Sequence, residues 1–163
     1  MELRSVETII RALNTAKVQY LVVGGLAVNA HGFARMTRDV DIVLRLDPEN
    51  ALRGLRSLLH IGYQMAIPAR PEDFADAATR EVWRAEKNMI VLKLWSEEHR
   101  RTPIDLFIYE PFNFAEEMRH SITVEIEPDL FVPVVSLDTL LVMKRAAGRP
   151  QDLVDITELQ RAP

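Results

Sequence analysis

Residues 20–44 of this chain read YLVVGGLAVNAHGFARMTRDVDIVL, a run that joins an apolar segment, two glycines and two closely spaced acids. The pattern predicts strands over Tyr20–Val23 and Asp39–Leu44, with a short helix over Leu26–Ala30 between them. Successive side chains of a strand point to opposite faces, so Asp39 and Asp41 are expected to share one face. Two carboxylates on one face repel each other unless a cation lies between them. The run therefore predicts a cation site, with a divalent metal as the usual occupant.

A third acid, Asp105, interrupts the apolar run Ile104–Ile108. Burying an acid in such a strand is costly unless the carboxylate is paired or bound to a metal. If this strand lies beside Asp39–Leu44, three carboxylates converge, and a site made of oxygen ligands suits Mg²⁺ or Mn²⁺ better than zinc. The structural alternative makes Asp39 a cap at the start of its strand and Asp41 the partner of a nearby arginine, Arg35 or Arg38.

The glycine pair Gly24-Gly25 lies between a strand and a helix, where the backbone can approach an anion and free N–H groups point outward. No Gly-Lys-Ser or Gly-Lys-Thr follows, and the G-x-G-x-x-G pattern is absent, so neither a Walker loop nor a dinucleotide fingerprint is present. A plain tight turn is the alternative. Together with the acids, the glycines indicate a phosphate-binding turn.

Composition limits the classes of protein that need considering. With 163 residues, 48% of them hydrophobic and 27% charged, the chain is expected to form one ordinary globular core. A net charge of −4 argues against a broad basic face for nucleic acid. The absence of cysteine excludes disulfides, thiolate metal sites and cysteine nucleophiles. Neither a membrane span nor a signal peptide is recognisable, so we expect a cytoplasmic protein without a membrane partner.

The remaining segments alternate between helix and strand patterns. They predict an α/β (α+β) fold with a mixed β-sheet of four to six strands flanked by helices, in one domain over residues 1–163. Residues 62–86 are expected to form a loop with a short helix near Pro71–Ala78. The other predicted features are a first helix capped by Ser5, a helix starting at Asp47-Pro48, two hairpins (Met89–Trp95 with Ile104–Tyr109, and Ile122–Glu127 with Leu130–Val134), a solvated helix face at Glu116-Glu117, and two closing helices within 136–160 (Ser136–Ala147 and Pro150–Gln160).

Lys144 falls on the apolar stripe of the first closing helix, with Leu137, Leu140 and Leu141. A buried ammonium needs a partner, and a bound triphosphate or the acid cluster would serve. The alternative is that Lys144 reaches solvent or pairs with Asp152 or Asp155. Arg149, Asp152 and Asp155 are expected to form a structural charge network at the junction of the two helices.

In this order, Gly24-Gly25, Arg35-Met-Thr-Arg-Asp-Val-Asp41 and Ile104-Asp-Leu106 resemble the signature of the DNA polymerase β-type nucleotidyltransferase superfamily. The Arg-x-Thr-x-Asp-x-Asp variant of the motif, here Arg35 to Asp41, resembles its small bacterial branch, which includes AbiEii-type toxins, minimal nucleotidyltransferases and some antibiotic nucleotidyltransferases. The ending from Leu140 to Asp155 resembles the helical segment of the same branch. The resemblance covers residues 18–45 and 100–160.

The resemblance implies a polymerase β-like fold and metal-dependent transfer of an NMP from an NTP to a hydroxyl acceptor. Asp39 and Asp41 would bind Mg²⁺ or Mn²⁺, and Asp105 would bind metal and act as the base. Gly24 and Gly25 would hold the nucleotide. Independently of the resemblance, we expect Lys144 and Arg38 to contribute to nucleotide binding, although Arg38 could equally be an exposed loop arginine. The acceptor would be tRNA, a protein or a small molecule, in a toxin–antitoxin or resistance context, and a partner protein, a homodimer mate or residues 62–86 would help to bind it.

The chain departs from the family pattern after the glycines, where Leu26 stands in a position that many relatives fill with Ser or Thr. This departure supports an alternative, a catalytically degenerate module of the same fold that binds nucleotide or a partner. A metal-dependent phosphohydrolase using the same acids is a third hypothesis.

Overall fold

A seven-stranded mixed sheet forms the centre of the fold in the computed structural model, which describes residues 1–161. The strand order is β3-β4-β5-β2-β1-β7-β6. The strands are β1 (Tyr20–Val23), β2 (Val40–Leu44), β3 (Gln64–Met65), β4 (Val91–Trp95), β5 (Ile104–Phe107), β6 (Ile122–Glu127) and β7 (Leu130–Val134). The helices are α1 (Leu3–Thr15), α2 (Gly24–Ala30), α3 (Pro48–His60), α4 (Pro71–Ala75), α5 (Ala77–Lys87), α6 (Phe114–His120), α7 (Leu137–Ala147) and α8 (Pro150–Arg161). The predicted α/β class is confirmed, with one strand more than the predicted range.

The seventh strand is β3, a two-residue segment that pairs antiparallel with the end of β4. Two residues are too few to carry a periodic hydrophobic pattern, so this strand arises only from pairing with its neighbour. Both predicted hairpins are present, because β4 pairs antiparallel with β5 and β6 with β7.

Residues 62–86 are more helical than predicted, since α5 extends to Lys87 after the short α4. Asp76 ends α4 and also caps α5, where its carboxylate accepts a hydrogen bond from the backbone N–H of Thr79 at 2.9 Å. Along α5 only Arg80 and Trp83 are buried. The short helix predicted near Pro71–Ala78 thus covers α4 but misses most of α5.

The prediction that Ser5 caps the first helix is wrong. The helix α1 begins at Leu3, with Glu2 in the capping position, and Ser5 is buried inside the first turn. Its hydroxyl forms a 2.9 Å hydrogen bond with Nδ1 of His99, a contact 94 residues away in sequence. The predicted start at Asp47-Pro48 is confirmed, because Asp47 accepts a hydrogen bond from the Asn50 N–H at the beginning of α3.

Strand register sets the position of the acids. The strand β2 pairs antiparallel with β1, which places Asp41 opposite Val23 just before the glycine pair. On its other side β2 pairs in parallel with β5, which places Asp41 opposite Asp105. The next strand, β4, places Lys93 opposite Asp105. The glycine turn, two acids and a lysine therefore lie in one row across four neighbouring strands.

Candidate active site

The acid cluster, defined as Asp39, Asp41 and Asp105, lies at the start of β2 and β5. Asp41 and Asp105 face each other across the parallel strand pair, as the sequence predicts if the two strands are neighbours. Asp39 immediately precedes β2, and its charge acts on both other carboxyl groups. The alternating burial of β5 leaves Asp105 half-buried between the buried Ile104 and Leu106. The three acids thus form a single electrostatic unit.

The pKa of Asp41 is the most strongly shifted in the cluster. Burial raises the pKa of Asp41 to about 6, and the negative charges of Asp105 and Asp39 add to this effect. A hydrogen bond from the Gly25 backbone N–H and the positive charge of Lys144 oppose it. Burial also raises the pKa of Asp105, although hydrogen bonding to Lys93 counteracts part of the shift. Burial and the neighbouring acids therefore outweigh the nearby positive charges, and a cation bound at the cluster would stabilise the ionised carboxylates.

Lys93 on β4 is a site residue that sequence reasoning missed. Its Nζ lies 3.1 Å from Oδ1 and 3.2 Å from Oδ2 of Asp105. Lys93 and Asp105 are direct cross-strand partners, a relation that follows from the register of the β4–β5 hairpin. The only sequence signal was a lone cation inside an apolar strand next to the strand of the third acid.

The glycine turn lies against the acid cluster. Gly24 has φ +64°, and a Cβ atom added to it would overlap the carboxylate of Asp41. A Cβ atom on Gly25 would overlap the hydroxyl of Thr37, in the loop before β2. Glycine is therefore required here by close approach as well as by backbone conformation. The turn brings the backbone N–H of Gly25 to the carboxylate of Asp41.

Behind the cluster, the junction of α7 and α8 contains the predicted charge network. The ammonium of Lys144 is buried and lies 2.9 Å from a carboxylate oxygen of Asp152 and 2.9 Å from one of Asp155. Arg149 pairs with Asp152 at 2.7 Å. The sequence left two kinds of partner open for Lys144, an anion at the site or the aspartates Asp152 and Asp155. In the structure Lys144 pairs with the two aspartates, and its charge also acts on Asp41.

Arg35 connects this network to the loop before β2. Its guanidinium donates to both carboxylate oxygens of Asp155, at 2.6 and 2.8 Å. Arg35 therefore has a different partner from the one in the structural alternative, in which it paired with Asp41. Burial alone would raise the pKa of Asp155, but hydrogen bonds from Arg35, Lys144 and Gln151 lower it to about 2. Arg38 is exposed on the same loop.

The prediction of a solvated face at Glu116-Glu117 is wrong for Glu117. Its side chain is buried and accepts hydrogen bonds from the backbone N–H of Ser136, at 2.7 Å, and from the hydroxyl of Thr139. Glu116 is exposed, as predicted. Because these contacts join α6 to the start of α7, they depend on tertiary packing that the local pattern does not encode.

The donor atoms of the acid cluster determine whether it fits a metal ion. Among residues 1–161, no group of three or more His, Asp or Glu side chains is positioned to hold a metal ion without rearrangement. Asp41 and Asp105 nevertheless offer paired carboxylates, with the charge of Asp39 nearby. Oxygen donors of this kind suit a hard divalent cation.

No helix described within residues 1–161 is long and apolar enough to cross a membrane.

Several solved structures named as nucleotidyltransferases or related proteins have a similar fold. The lincosamide antibiotic adenylyltransferase LnuA, bound to lincomycin, matches with a TM-score of 0.58 and 21% identity, over 94% of this chain and 92% of its own. ANT(2")-Ia, in complex with adenylyl-2"-tobramycin, matches with a TM-score of 0.57 and 12% identity, over 96% and 86%. An antigenic nucleotidyltransferase-like protein from Paracoccidioides brasiliensis matches with a TM-score of 0.56 and 18% identity, over 97% and 75%. The fold is therefore the polymerase β-like nucleotidyltransferase fold.

The family follows from the sequence itself. A family model described as "Nucleotidyl transferase AbiEii toxin, Type IV TA system" matches residues 10–163. This chain belongs to the AbiEii nucleotidyltransferase toxin family, and is an enzyme of the nucleotidyltransferase class. No curated protein matches the chain.

Proposed function

We propose that this protein transfers an NMP from an NTP to a hydroxyl acceptor and releases pyrophosphate, using a divalent metal bound by the acid cluster. The observation that carries the proposal is the register of β2 and β5, which places Asp41 opposite Asp105. The raised pKa of Asp41, caused first by burial and then by the neighbouring acids, supports a cationic occupant that would stabilise the carboxylate.

Each residue of the site has a proposed role. Asp39, Asp41 and Asp105 are the ligands of Mg²⁺ or Mn²⁺, and the bound ion supplies positive charge that offsets the carboxylates and the charge developing on the phosphoryl group. Asp105 also takes the proton of the acceptor hydroxyl. The hydroxyl oxygen then bonds to the α-phosphorus as the bond between the α-phosphorus and pyrophosphate breaks. The raised pKa of Asp105 supports this role as a base.

The nucleotide is proposed to lie along the glycine turn. The backbone N–H groups of Gly24 and Gly25 and the exposed guanidinium of Arg38 contact the phosphates. The ammonium of Lys144 is buried between Asp152 and Asp155, behind the cluster. Lys144 is therefore proposed to act on the nucleotide site through its charge. The proposed setting is the cytoplasm, in a single domain spanning residues 1–163 with its closing helices within 136–160 packed on the core.

The acceptor is proposed as a class only, a hydroxyl group on tRNA, on a protein or on a small molecule. A partner protein or a second copy of the chain would complete its binding site. LnuA was solved with lincomycin and ANT(2")-Ia with an adenylylated tobramycin, which supports a small hydroxylated acceptor for the shared fold. The type IV toxin–antitoxin description of the family supports a cellular target instead.

A second candidate function rests on Leu26. This side chain follows the glycine turn, is half-buried and packs against the core, so the position offers no hydroxyl to a phosphate. A degenerate member of the family that binds nucleotide or a partner, without transferring anything, would tolerate this substitution.

The test is calorimetric titration of the purified chain with ATP, GTP, CTP and UTP, with and without Mg²⁺. The comparison variants are Asp41→Asn, in the cluster, and Asp138→Asn, an exposed acid at the start of α7. We expect metal-dependent NTP binding that Asp41→Asn abolishes and Asp138→Asn preserves. Absence of NTP binding with either Mg²⁺ or Mn²⁺ would refute the proposal.

An α-labelled NTP then separates the candidate functions. Label transferred to an acceptor together with pyrophosphate release identifies the transferase. Binding without pyrophosphate release, across tRNA, protein and small-molecule acceptors, identifies the degenerate module. Release of orthophosphate without an adduct identifies a hydrolase.

A further inference from the structure

The acid cluster contains a cation of its own, Lys93. The signature residues of the family resemblance lie on the glycine turn, β2 and β5, whereas Lys93 lies on β4. Its ammonium is shared almost equally between the two oxygens of Asp105, at 3.1 and 3.2 Å. It therefore occupies the oxygens that the proposed metal site would use.

Burial is unequal within this ion pair. The side chain of Asp105 is 13% exposed, while that of Lys93 is 64% exposed. Exposed ion pairs add little stability, since water and salt screen them and the lysine must give up rotamer freedom. A lysine is also a compact charge on a flexible four-carbon chain, so its ammonium can leave the carboxylate without disturbing β4. The ammonium of Lys93 can therefore move into solvent while the Asp105 carboxylate stays in place.

We propose that Lys93 is the resident counter-ion of the acid cluster. It orients the Asp105 carboxylate in the metal-free protein and must release it when a divalent cation binds, so that Lys93 and the metal compete for the same oxygens. Lys93 is then a positioning residue that weakens binding of metal in the absence of nucleotide. This inference rests on the proposed function, because it assumes that the metal binds at Asp105.

Two cations near the cluster, Lys93 and Arg149, differ in whether they contact Asp105. Arg149 also acts electrostatically on Asp105 and Asp41, but its guanidinium is hydrogen-bonded to Asp152. Removing either cation would raise the affinity for a divalent ion through long-range Coulomb effects. Only the removal of Lys93 would also vacate the Asp105 oxygens.

The experiment measures Mn²⁺ binding to the nucleotide-free chain by the electron paramagnetic resonance signal of free Mn²⁺. We expect Lys93→Met to bind Mn²⁺ roughly tenfold more tightly than the wild type, as removal of a contacting charge implies. Lys93→Arg, which keeps the charge and the contact, is expected to stay within about threefold of the wild type. Arg149→Met, the matched control for charge without contact, is expected to gain no more than about threefold.

The outcomes separate this inference from the proposed function. Unchanged or weaker Mn²⁺ binding in Lys93→Met, or equal gains in Lys93→Met and Arg149→Met, would overturn the role of Lys93. If Asp41→Asn still abolishes binding in that case, the proposed metal site stands. Absence of Mn²⁺ binding in both the wild type and Lys93→Met, with and without an NTP, would overturn both. Circular dichroism melting curves establish that each variant is folded before its titration is interpreted.

Discussion

At the scale of single residues, Gly24 joins the backbone conformation of the turn to the acid cluster. An alanine there must adopt φ +64° and also displace the Asp41 carboxylate. The left-handed conformation alone costs about 1–2 kcal/mol, and the overlap adds about 1–3 kcal/mol. We expect Gly24→Ala to lower the free energy of unfolding accordingly in urea titrations.

Gly148, after α7, provides the control for this substitution. It has nearly the same φ, +62°, but the nearest atom to an added Cβ is the Arg145 carbonyl oxygen at 3.6 Å, an ordinary contact. Gly148→Ala should therefore show only the cost of the backbone conformation. Equal losses of stability in the two variants would contradict a close approach between the glycine turn and Asp41.

The ionised carboxylate of Asp41 is predicted to lower the free energy of unfolding in the metal-free protein. Its pKa in the folded chain, about 6, lies above the ordinary value of 3.8, so folding favours the neutral carboxyl. The stability linked to that neutral form is complete below about pH 4 and is lost as the pH rises through about 6. In EDTA, Asp41→Asn should therefore raise the free energy of unfolding at pH 8 by about 1–3 kcal/mol, with little gain near pH 4.

Thermal melts of the wild type and Asp41→Asn across this pH range provide the measurement. Asp138→Asn, which changes an exposed acid, should show no comparable dependence on pH. A variant Asp41→Asn that is less stable than the wild type at pH 8 would mean that burial and the neighbouring acids do not outweigh the nearby positive charges.

At the scale of secondary structure, α6 is attached to α7 through one buried carboxylate. Glu117→Ala leaves the Ser136 N–H and the Thr139 hydroxyl without their acceptor, which should cost about 1–3 kcal/mol. Glu116→Ala changes the exposed neighbour in the same helical turn and should stay within about 0.5 kcal/mol. Urea unfolding of both variants measures the difference. Similar values would show that the helix–helix contact contributes no stability.

The attachment of α8 depends on Asp155, which accepts hydrogen bonds from Arg35 and Lys144. Its pKa of about 2 lies below the ordinary value of 3.8, so its contribution to stability is present above about pH 4 and is lost as the pH falls towards 2. Asp155→Asn leaves two cations undercompensated and should cost about 3–5 kcal/mol at pH 7.

The pH dependence distinguishes this effect from a general packing defect. The difference in free energy of unfolding between the wild type and Asp155→Asn should shrink between pH 4 and pH 2. Glu158→Gln, at the exposed ion pair with Arg161 in the same helix, should show at most a small change. A difference that stays constant down to pH 2 would argue against the charge network.

At the scale of the whole molecule, β1 links distant parts of the chain. It pairs with β2 on one side and with β7 on the other, where Val22 lies opposite Val134. Because this interior strand draws its neighbours from both halves of the sequence, we predict one cooperative unfolding transition for the chain. The fluorescence of Trp83 and Trp95 and the far-ultraviolet circular dichroism should give coincident urea curves. Separate midpoints would indicate independent units.

Local patterns were sufficient for much of this fold. Apolar runs and alternating apolar residues predicted the strands, and the Asp47-Pro48 cap predicted a helix start, because both signals depend on neighbours within a few residues. The segment containing β3 and α5 was not predicted in full. A two-residue strand carries too little local pattern and depends on pairing with β4. The cap of α5, Asp76, directly follows α4, which obscures the boundary between the two helices.

The sequence by itself determined the residue types of the site and their order: a glycine pair, two acids that alternate along a strand, and a third acid in an apolar strand. Tertiary structure alone decided which of these groups meet. Strand register places Asp105 opposite Asp41 and Lys93 opposite Asp105, and chain packing brings Asp155 to Arg35 across 120 residues. Local periodicity specifies the face on which a side chain lies, whereas its partner depends on long-range pairing and on the burial that makes an unpaired charge costly.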